Sequence, residues 1–169
     1  MNIYFAPYED RNGSIAVRSL LENAFMAEYR EILPKIEKTP SGKPYFPDKP
    51  DIHFSLSHSK THVLCVLADV PVGADTESPR RITERAVRYF CSREELREFD
   101  ALDLWVLKES YIKLVGGTLV LMKSLRFSRT DGVISAPDRG VESKLYRIGD
   151  CRVAVSALGE IPPDNISRY

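Results

Sequence analysis

The sequence is poor in cysteine and has no long hydrophobic run. Its three cysteines, Cys65, Cys91 and Cys151, stand far apart. Such an odd, scattered set offers neither a disulfide framework nor the spacing of zinc ligands. No apolar stretch approaches the roughly 20 residues that span a bilayer, and proline and charges follow the first five residues too soon for a signal peptide. These absences predict a soluble, cytoplasmic protein with reduced thiols and no membrane partner.

An excess of either charge is also missing. The 169 residues include 24 basic and 24 acidic side chains, so the overall balance does not point to nucleic acid or to an anionic membrane. Apolar residues make up 43% of the chain. This composition and length suit one compact domain, or two small halves that share a core.

The spacing of apolar residues predicts a mixed order of strands and helices. Alternating or continuous apolar residues favour strands, and three- and four-residue spacing favours helices. The predicted strands are 2–6, 52–56, 62–70 and 72–77, and the predicted helices are 14–32, 82–90, 94–99 and 103–115. Asp131-Gly132 and Gly149-Asp150 are typical hairpin turns, and the proline-rich stretch 39–50 predicts a loop. We therefore predict an α+β protein with two halves, 1–78 and 79–169.

Two carboxylates, Asp75 and Glu77, lie two residues apart on a predicted strand. Positions i and i+2 of a strand project from the same face. Their hard oxygen ligands suit a divalent cation, and magnesium is the usual occupant where a phosphate completes the shell. The alternative is that both are solvated side chains at a strand end.

Glu109 and Lys113 are one helical turn apart on the last predicted helix. The apolar stripe of this helix lies on the opposite side and contains Leu104, Leu107, Tyr111, Leu114 and Val115. On an open surface, Glu109 and Lys113 form an ordinary exposed ion pair. Their functional interpretation requires that the other half of the protein cover this face and make it a cleft.

Two further segments carry groups that bind phosphate. In Ser57-His58-Ser59, a histidine at a strand end is flanked by hydroxyls, and all three side chains can donate hydrogen bonds to a phosphate. In Gly42-Lys43-Pro44, a lysine on a proline-stiffened loop is able to reach a nucleotide. A surface turn is the alternative for the histidine segment.

Arginines are concentrated between residues 79 and 93. Arg80, Arg81, Arg85, Arg88 and Arg93 oppose the single helix carboxylate Glu84. In a chain of zero net charge, this excess is a candidate docking patch for an acidic partner. A solvated helix face is the alternative.

The residues of these segments and their order along the chain resemble those of the Sfp-type 4′-phosphopantetheinyl transferases. The resemblance covers roughly residues 42 to 117 and rests on five stretches. They are Gly42-Lys43-Pro44, Phe54-Ser55-Leu56-Ser57-His58-Ser59, Val72-Gly73-Ala74-Asp75-Thr76-Glu77, Phe90 with Ser92, Glu94 and Glu95, and Trp105-Val106-Leu107-Lys108-Glu109-Ser110 with Lys113. The first 40 residues match no motif, and Arg11, Arg18 and Arg30 are the candidates there for a 3′-phosphate contact.

This resemblance implies a pseudo-dimer of two similar α+β halves, with coenzyme A bound at the seam between them. It also implies roles for individual residues. Asp75, Glu77 and Glu109 would hold Mg²⁺; Ser57 and His58 would contact the phosphates of coenzyme A; Lys43 would lie near the nucleotide; and Lys113 would neutralise phosphate charge or assist proton transfer.

The implied reaction is the transfer of the phosphopantetheine arm of coenzyme A to a carrier-protein serine, with release of 3′,5′-ADP. Glu109 or a metal-bound water would accept the serine proton. The acyl, polyketide or peptidyl carrier would dock on Arg80, Arg81, Arg85 and Arg88, and the enzyme would be a monomer. Two alternatives stay open: a degenerate member that binds nucleotide or carrier without transfer, and the shorter, trimeric carrier-protein synthase type.

Overall fold

The chain combines a run of strands after α1, two further helices and a second run of strands, and the predicted α+β class is confirmed. The computed structural model describes residues 1–9 and 12–168, so Arg11 lies outside the described residues. The helices are α1 (Gly13–Tyr29), α2 (Glu84–Phe90) and α3 (Ala101–Val115), with 3-10 turns at Glu95–Arg97 and Leu119–Lys123. The strands are β1 (Asn2–Pro7), β2 (Glu37–Lys38), β3 (Pro44–Tyr45), β4 (His53–His58), β5 (His62–Ala68), β6 (Val72–Glu77), β7 (Ser128–Thr130), β8 (Val133–Ser135), β9 (Val141–Ile148), β10 (Cys151–Leu158) and β11 (Ser167–Arg168).

The larger strands form two sheets, each covered by one long helix. The first sheet has the order β11-β1-β5-β4 and the second has the order β6-β10-β9-β8-β7. Helix α1 packs on the first sheet, with Leu21 and Phe25 fully buried. Helix α3 packs on the second sheet, with Leu104 and Leu107 fully buried.

The two sheets share a central apolar core. Strand β5 contributes to two cores because successive side chains of a strand point to opposite faces. Leu64 and Val66 pack against Val153 and Val155 of the second sheet, whereas Cys65 faces α1. Because both faces are buried, this strand is continuously apolar rather than alternating. The resulting layers are helix, sheet, sheet and helix.

Strand β6 joins the two sheets. The sequence places it in the half 1–78, but it pairs antiparallel with β10, with Asp75 opposite Ala154. It also contacts β4 of the first sheet. The side-chain oxygens of Ser55 and Ser57 on β4 accept the backbone N–H groups of Ala74 and Thr76, at 2.8 and 3.3 Å. The predicted division at residue 78 remains a prediction.

Several predicted element bounds were wrong. Helix α1 ends at Tyr29 rather than 32 because Arg30 adopts a left-handed conformation, with φ 57°, and its N–H closes the helix on Met26. The predicted helix 94–99 is only a 3-10 turn because Asp100 caps the start of α3 directly after it. The predicted loop 39–50 includes β3, which pairs with β2. Both predicted hairpin turns are confirmed.

None of the helices in residues 1–9 and 12–168 is long and apolar enough to cross a membrane. Cys65, Cys91 and Cys151 are all free thiols.

Gly73 of β6 sets the distance between this strand and α3. A Cβ atom at this position would lie 2.0 Å from the backbone oxygen of Ser110 and 2.2 Å from the backbone nitrogen of Leu114. Backbone atoms of a helix cannot move aside individually, so a larger residue must displace the whole helix.

We expect Gly73→Ala to destabilise the protein by about 3 kcal/mol, the upper end of the usual cost of overpacking a core. Urea-induced unfolding, followed by circular dichroism, measures this change. Gly132→Ala is the control because Gly132 has open space around it but a φ of 83°, so it adds backbone strain of about 1 kcal/mol without a collision. Equal losses in the two variants would contradict the steric explanation.

Candidate active site at the contact of the two sheets

The predicted site residues are positioned by three elements that meet where the sheets touch. Strand β4 carries Ser57, strand β6 carries Asp75 and Glu77, and α3 carries Glu109 and Lys113. Helix α3 is well defined at both ends. The Asp100 carboxylate accepts the Asp103 N–H at its start, and Gly116 ends it with a φ of 68°. Lys113 of this helix reaches β4 and β6, and a cleft between two halves remains a prediction.

Asp75 lies at the centre of this cluster. Its side chain is only 4% exposed, and its Oδ1 accepts hydrogen bonds from the Ser57 hydroxyl and from the Lys113 ammonium, both at 2.7 Å. Lys113 also donates to the backbone oxygen of Ala74 at 3.1 Å and to that of Leu56 at 3.4 Å. Lys113 thus bridges β4 and β6 and neutralises the buried carboxylate.

The second carboxylate oxygen of Asp75 is not satisfied. Oδ2 is buried, and no donor in the described part of the chain lies within hydrogen-bonding distance of it. A buried anionic oxygen without a partner is energetically costly. It is therefore a ready ligand for a cation.

Asp75 and Glu77 both lie close enough to Glu109 to interact with it electrostatically. Partial burial raises the pKa of Glu109 to about 7, and the negative charges of Asp75 and Glu77 add to this rise, while Lys113 and Arg80 oppose it. Glu77 is held by Arg80, whose Nη2 lies 2.8 Å from Glu77 Oε1. Three carboxylates thus share one region with two cationic side chains.

The chemistry of this donor set fits Mg²⁺, which prefers carboxylate oxygens. Among the residues that the structure describes, no three Asp, Glu, His or Cys side chains are already arranged as a metal-binding group. Asp75 Oδ1 forms an ion pair with the Lys113 ammonium. The unpartnered Oδ2 and the raised pKa of Glu109 both indicate negative charge that a cation would relieve. The magnesium assignment remains a proposal.

Ser57 is placed differently from His58, its neighbour on β4. Ser57 is buried and connects Asp75 to the backbone of Thr76. His58 is exposed at the strand end. Its ring lies against the start of α1, because a Cβ atom on Gly13 would come within 2.7 Å of His58 Nδ1. The phosphate-binding role predicted for both residues remains a prediction.

Lys43 lies beside the same contact between the sheets. Its ammonium donates to the backbone oxygen of Leu114 at 2.6 Å and to that of Val72 at 3.3 Å. It therefore joins the end of α3 to the start of β6, and burial lowers its pKa. Lys43 and Lys113 both line a cavity of about 260 Å³, which also includes Gly42, Pro44, Leu56 and Gly116. A nucleotide contact by Lys43 stays a prediction.

The candidate docking arginines do not share one environment. Arg80 is paired with Glu77, and its guanidinium lies 4.7 Å from the ring centroid of Trp105. Arg88 pairs with Glu84 on the exposed surface of α2. Arg81 and Arg85 are exposed. Arg80 thus belongs to the carboxylate cluster as well as to the predicted patch.

Sequence reasoning missed the role of Lys108 and Glu95. Lys108 is fully buried, and its ammonium lies 2.9 Å from Glu95 Oε1. The available signal was its position, because Lys108 falls between Leu104 and Tyr111 on the apolar stripe of α3. A charged residue there predicts a buried ion pair. These two motif residues stabilise the second half and do not face the carboxylate cluster.

The fold and the site define an α+β protein whose carboxylate–lysine cluster lies beside a cavity at the contact of two sheets. No family model matches the chain, but curated proteins do. The 4′-phosphopantetheinyl transferase Sfp of Bacillus subtilis strain 168 is 33% identical over 119 residues, which are 64% of this chain and 52% of the relative. A second 4′-phosphopantetheinyl transferase of Bacillus subtilis is 36% identical over 90 residues, covering 47% and 40%.

A third relative is the 4′-phosphopantetheinyl transferase psf-1 of Bacillus pumilus, 29% identical over 114 residues, or 62% of this chain and 48% of the relative. The resemblance to Sfp-type transferases is therefore confirmed. The chain spans about half the length of the curated relatives that it matches.

Proposed function

We propose that the chain transfers the 4′-phosphopantetheine arm of coenzyme A to a serine of an acyl or peptidyl carrier protein and releases 3′,5′-ADP. The observation that supports this most is the meeting of Ser57, Asp75, Glu109 and Lys113 at one place. These residues come from three separate stretches that resemble the transferase motifs. The matched relatives are named 4′-phosphopantetheinyl transferases, which supports transfer of this arm.

Mg²⁺ would be held by Asp75, Glu77 and Glu109, and when bound it would stabilise the negative charge of the diphosphate. The side chains of the protein would supply further positive charge and the positioning of the reactants. Transfer of a phosphoryl group depends mainly on positioning and on electrostatic stabilisation. The Lys113 ammonium adds positive charge next to the cleft, and the cavity beside Lys43 offers space for part of coenzyme A.

Glu109 or a metal-bound water would accept the proton of the attacking serine. Without a cation, burial and the negative charges of Asp75 and Glu77 raise the pKa of Glu109 to about 7, and a bound cation would lower it again. The serine oxygen would bond to the phosphorus that bears the pantetheine, and the bond to the 3′,5′-ADP oxygen would break. His58, at the exposed end of β4, would contact a phosphate.

The test is intact-mass spectrometry of apo carrier proteins incubated with the chain, coenzyme A and Mg²⁺. One carrier each from fatty-acid, polyketide and nonribosomal-peptide systems is required. A mass gain of one phosphopantetheine arm, lost when the acceptor serine is replaced by alanine, supports transfer. No gain on any carrier would favour a binding module without transfer.

The cytoplasmic location and the monomeric state also remain proposals. Sedimentation measures the oligomeric state.

The exposed arginines of α2 give a separate prediction about the carrier. Reversing the charge of both Arg85 and Arg88 to glutamate should raise the KM for an acidic carrier roughly tenfold, because like charges then face each other across the interface. The KM for coenzyme A should stay nearly constant. Arg139→Glu combined with Arg168→Glu is the control, since it makes the same charge change on exposed residues of other elements. Equal effects on both KM values would remove the docking role.

A further inference from the structure

Arg80 connects one carboxylate of the site to an aromatic residue of α3. Its Nη2 lies 2.8 Å from Glu77 Oε1, and its guanidinium carbon lies 4.7 Å from the centroid of the Trp105 ring. Trp105 is one helical turn before Glu109 on α3. The arginine therefore touches both of the elements that carry the carboxylates.

The contact with Trp105 is itself fixed. The Phe90 ring meets the Trp105 ring edge-on, with centroids 5.4 Å apart, so the indole is packed between Phe90 and Arg80. The Arg80 and Glu77 side chains are 35% and 23% exposed, which shields their ion pair partly from water. A guanidinium stacked on an aromatic face keeps its donors in one orientation.

Glu77 needs such support more than its two neighbours do. Asp75 is buried and bound by two side chains, and Glu109 belongs to a regular helix. Glu77 is the last residue of β6, where the pairing with β10 ends. Without Arg80, this carboxylate would lose its ion pair and be free to change rotamer.

We propose that Arg80 is a positioning residue, which orients the Glu77 carboxylate toward Asp75 and Glu109 by stacking on Trp105. The inference rests on the proposed function for the assignment of the three carboxylates to a divalent cation. It assigns Arg80 to the metal-binding machinery rather than to the docking patch alone. A positioning role and a simple charge effect predict opposite results when the arginine is removed.

The experiment measures Mn²⁺ binding to the purified chain by the loss of the electron paramagnetic resonance signal of free Mn²⁺. We expect Arg80→Met to weaken Mn²⁺ binding about tenfold, as is typical when a residue that orients a ligand is lost. If Arg80 acted only through its charge, its removal would strengthen Mn²⁺ binding. Unchanged or stronger binding would therefore refute the proposal.

Two further variants separate geometry from folding and charge. Arg80→Lys keeps the charge but loses the planar stack, so it should recover only part of the affinity. Lys49→Met, which removes a partly exposed ion pair with Glu31 outside the site, should bind Mn²⁺ like the unmodified chain. The fluorescence of Trp105, the single tryptophan, should change in Arg80→Met, and an unchanged emission would show that the stack is absent.

Failure of the proposed function gives a different pattern. If no carrier gains mass but Mn²⁺ binding still depends on Arg80, the positioning role holds and the transfer proposal fails. If the unmodified chain transfers the arm but Arg80→Met binds Mn²⁺ normally, the transfer proposal holds and the positioning role fails. If the unmodified chain binds no Mn²⁺, the positioning role falls together with the metal assignment.

Discussion

Asp75→Asn and Glu109→Gln are each expected to reduce transfer at least a hundredfold, roughly the loss seen when one group that stabilises transition-state charge is removed. Both changes keep the size of the side chain and remove its charge. Asp75→Asn takes away the anionic partner of Lys113 and the buried, unpartnered Oδ2. Glu109→Gln removes a proposed ligand of the cation and a candidate acceptor for the serine proton.

Neither change should unfold the protein. An amide at position 75 still accepts hydrogen bonds from the Ser57 hydroxyl and the Lys113 ammonium, and the three carboxylates no longer repel one another. We therefore expect thermal unfolding temperatures equal to or slightly above that of the unmodified chain. Activity and stability must be measured on the same preparations.

The measurement is the initial rate of mass gain on an apo carrier, at saturating coenzyme A and Mg²⁺. Asp69→Asn and Glu22→Gln are matched controls because both are exposed carboxylates outside the cluster, and they should keep full activity. A variant at position 75 or 109 with near-normal rates would remove that residue from the metal and catalytic assignments.

Much of the local structure could be predicted from the sequence, and the roles of the candidate site residues remain predictions. The continuous apolar residues of β5 predicted a strand, and the structure shows why they do not alternate: one face packs on α1 and the other on the second sheet. Asp131-Gly132 and Gly149-Asp150 predicted hairpin turns because their backbone conformations favour short connections. Such signals depend only on neighbours in the chain.

Contacts between segments that are distant in the chain could not be predicted from local sequence patterns. The pairing of β6 with β10 brings residues 77 and 152 together, and the apolar pattern of β6 is equally compatible with a place in the first sheet. Local patterns also do not identify the distant partners of the two lysines of α3. Lys108 and Lys113 are only five residues apart, but Lys108 is enclosed in the core and Lys113 reaches across to Asp75.

The buried pair of Lys108 and Glu95 gives the largest expected effect on stability. Lys108 is 0% exposed and Glu95 is 2% exposed. The ammonium also donates to the backbone oxygens of Phe90, Met122 and Leu125, the last at 2.9 Å. Glu95 in turn accepts the N–H groups of Ser92 at 2.8 Å and Phe127 at 3.1 Å. The pair therefore ties two stretches of the chain, residues 90–95 and 122–127, to α3.

Glu95→Ala is expected to cost about 3–5 kcal/mol, because it leaves an uncompensated charge in the core and removes the acceptor for two backbone donors. For a domain of this length, that loss corresponds to a fall in the unfolding temperature of roughly 10 °C. Calorimetry measures it. Glu84→Ala is the control, since Glu84 pairs with Arg88 on the exposed surface of α2 and contributes at most about 1 kcal/mol.

A double-mutant cycle separates the charge effect from the loss of packing. Lys108→Met should destabilise the protein by a similar amount, because it leaves the Glu95 carboxylate buried beside unpaired carbonyls. Glu95→Gln is the second single variant, and it leaves the Lys108 ammonium without its anion. The double variant, Lys108→Met with Glu95→Gln, buries no charge, although its one amide oxygen accepts only one of the two N–H groups that the separate carboxylate oxygens accept from Ser92 and Phe127. Its loss should therefore be smaller than the sum of the two single losses by about 2 kcal/mol or more. Additive losses would mean that the two charges do not stabilise each other, and that this part of the transferase-like motif owes its stability to shape alone.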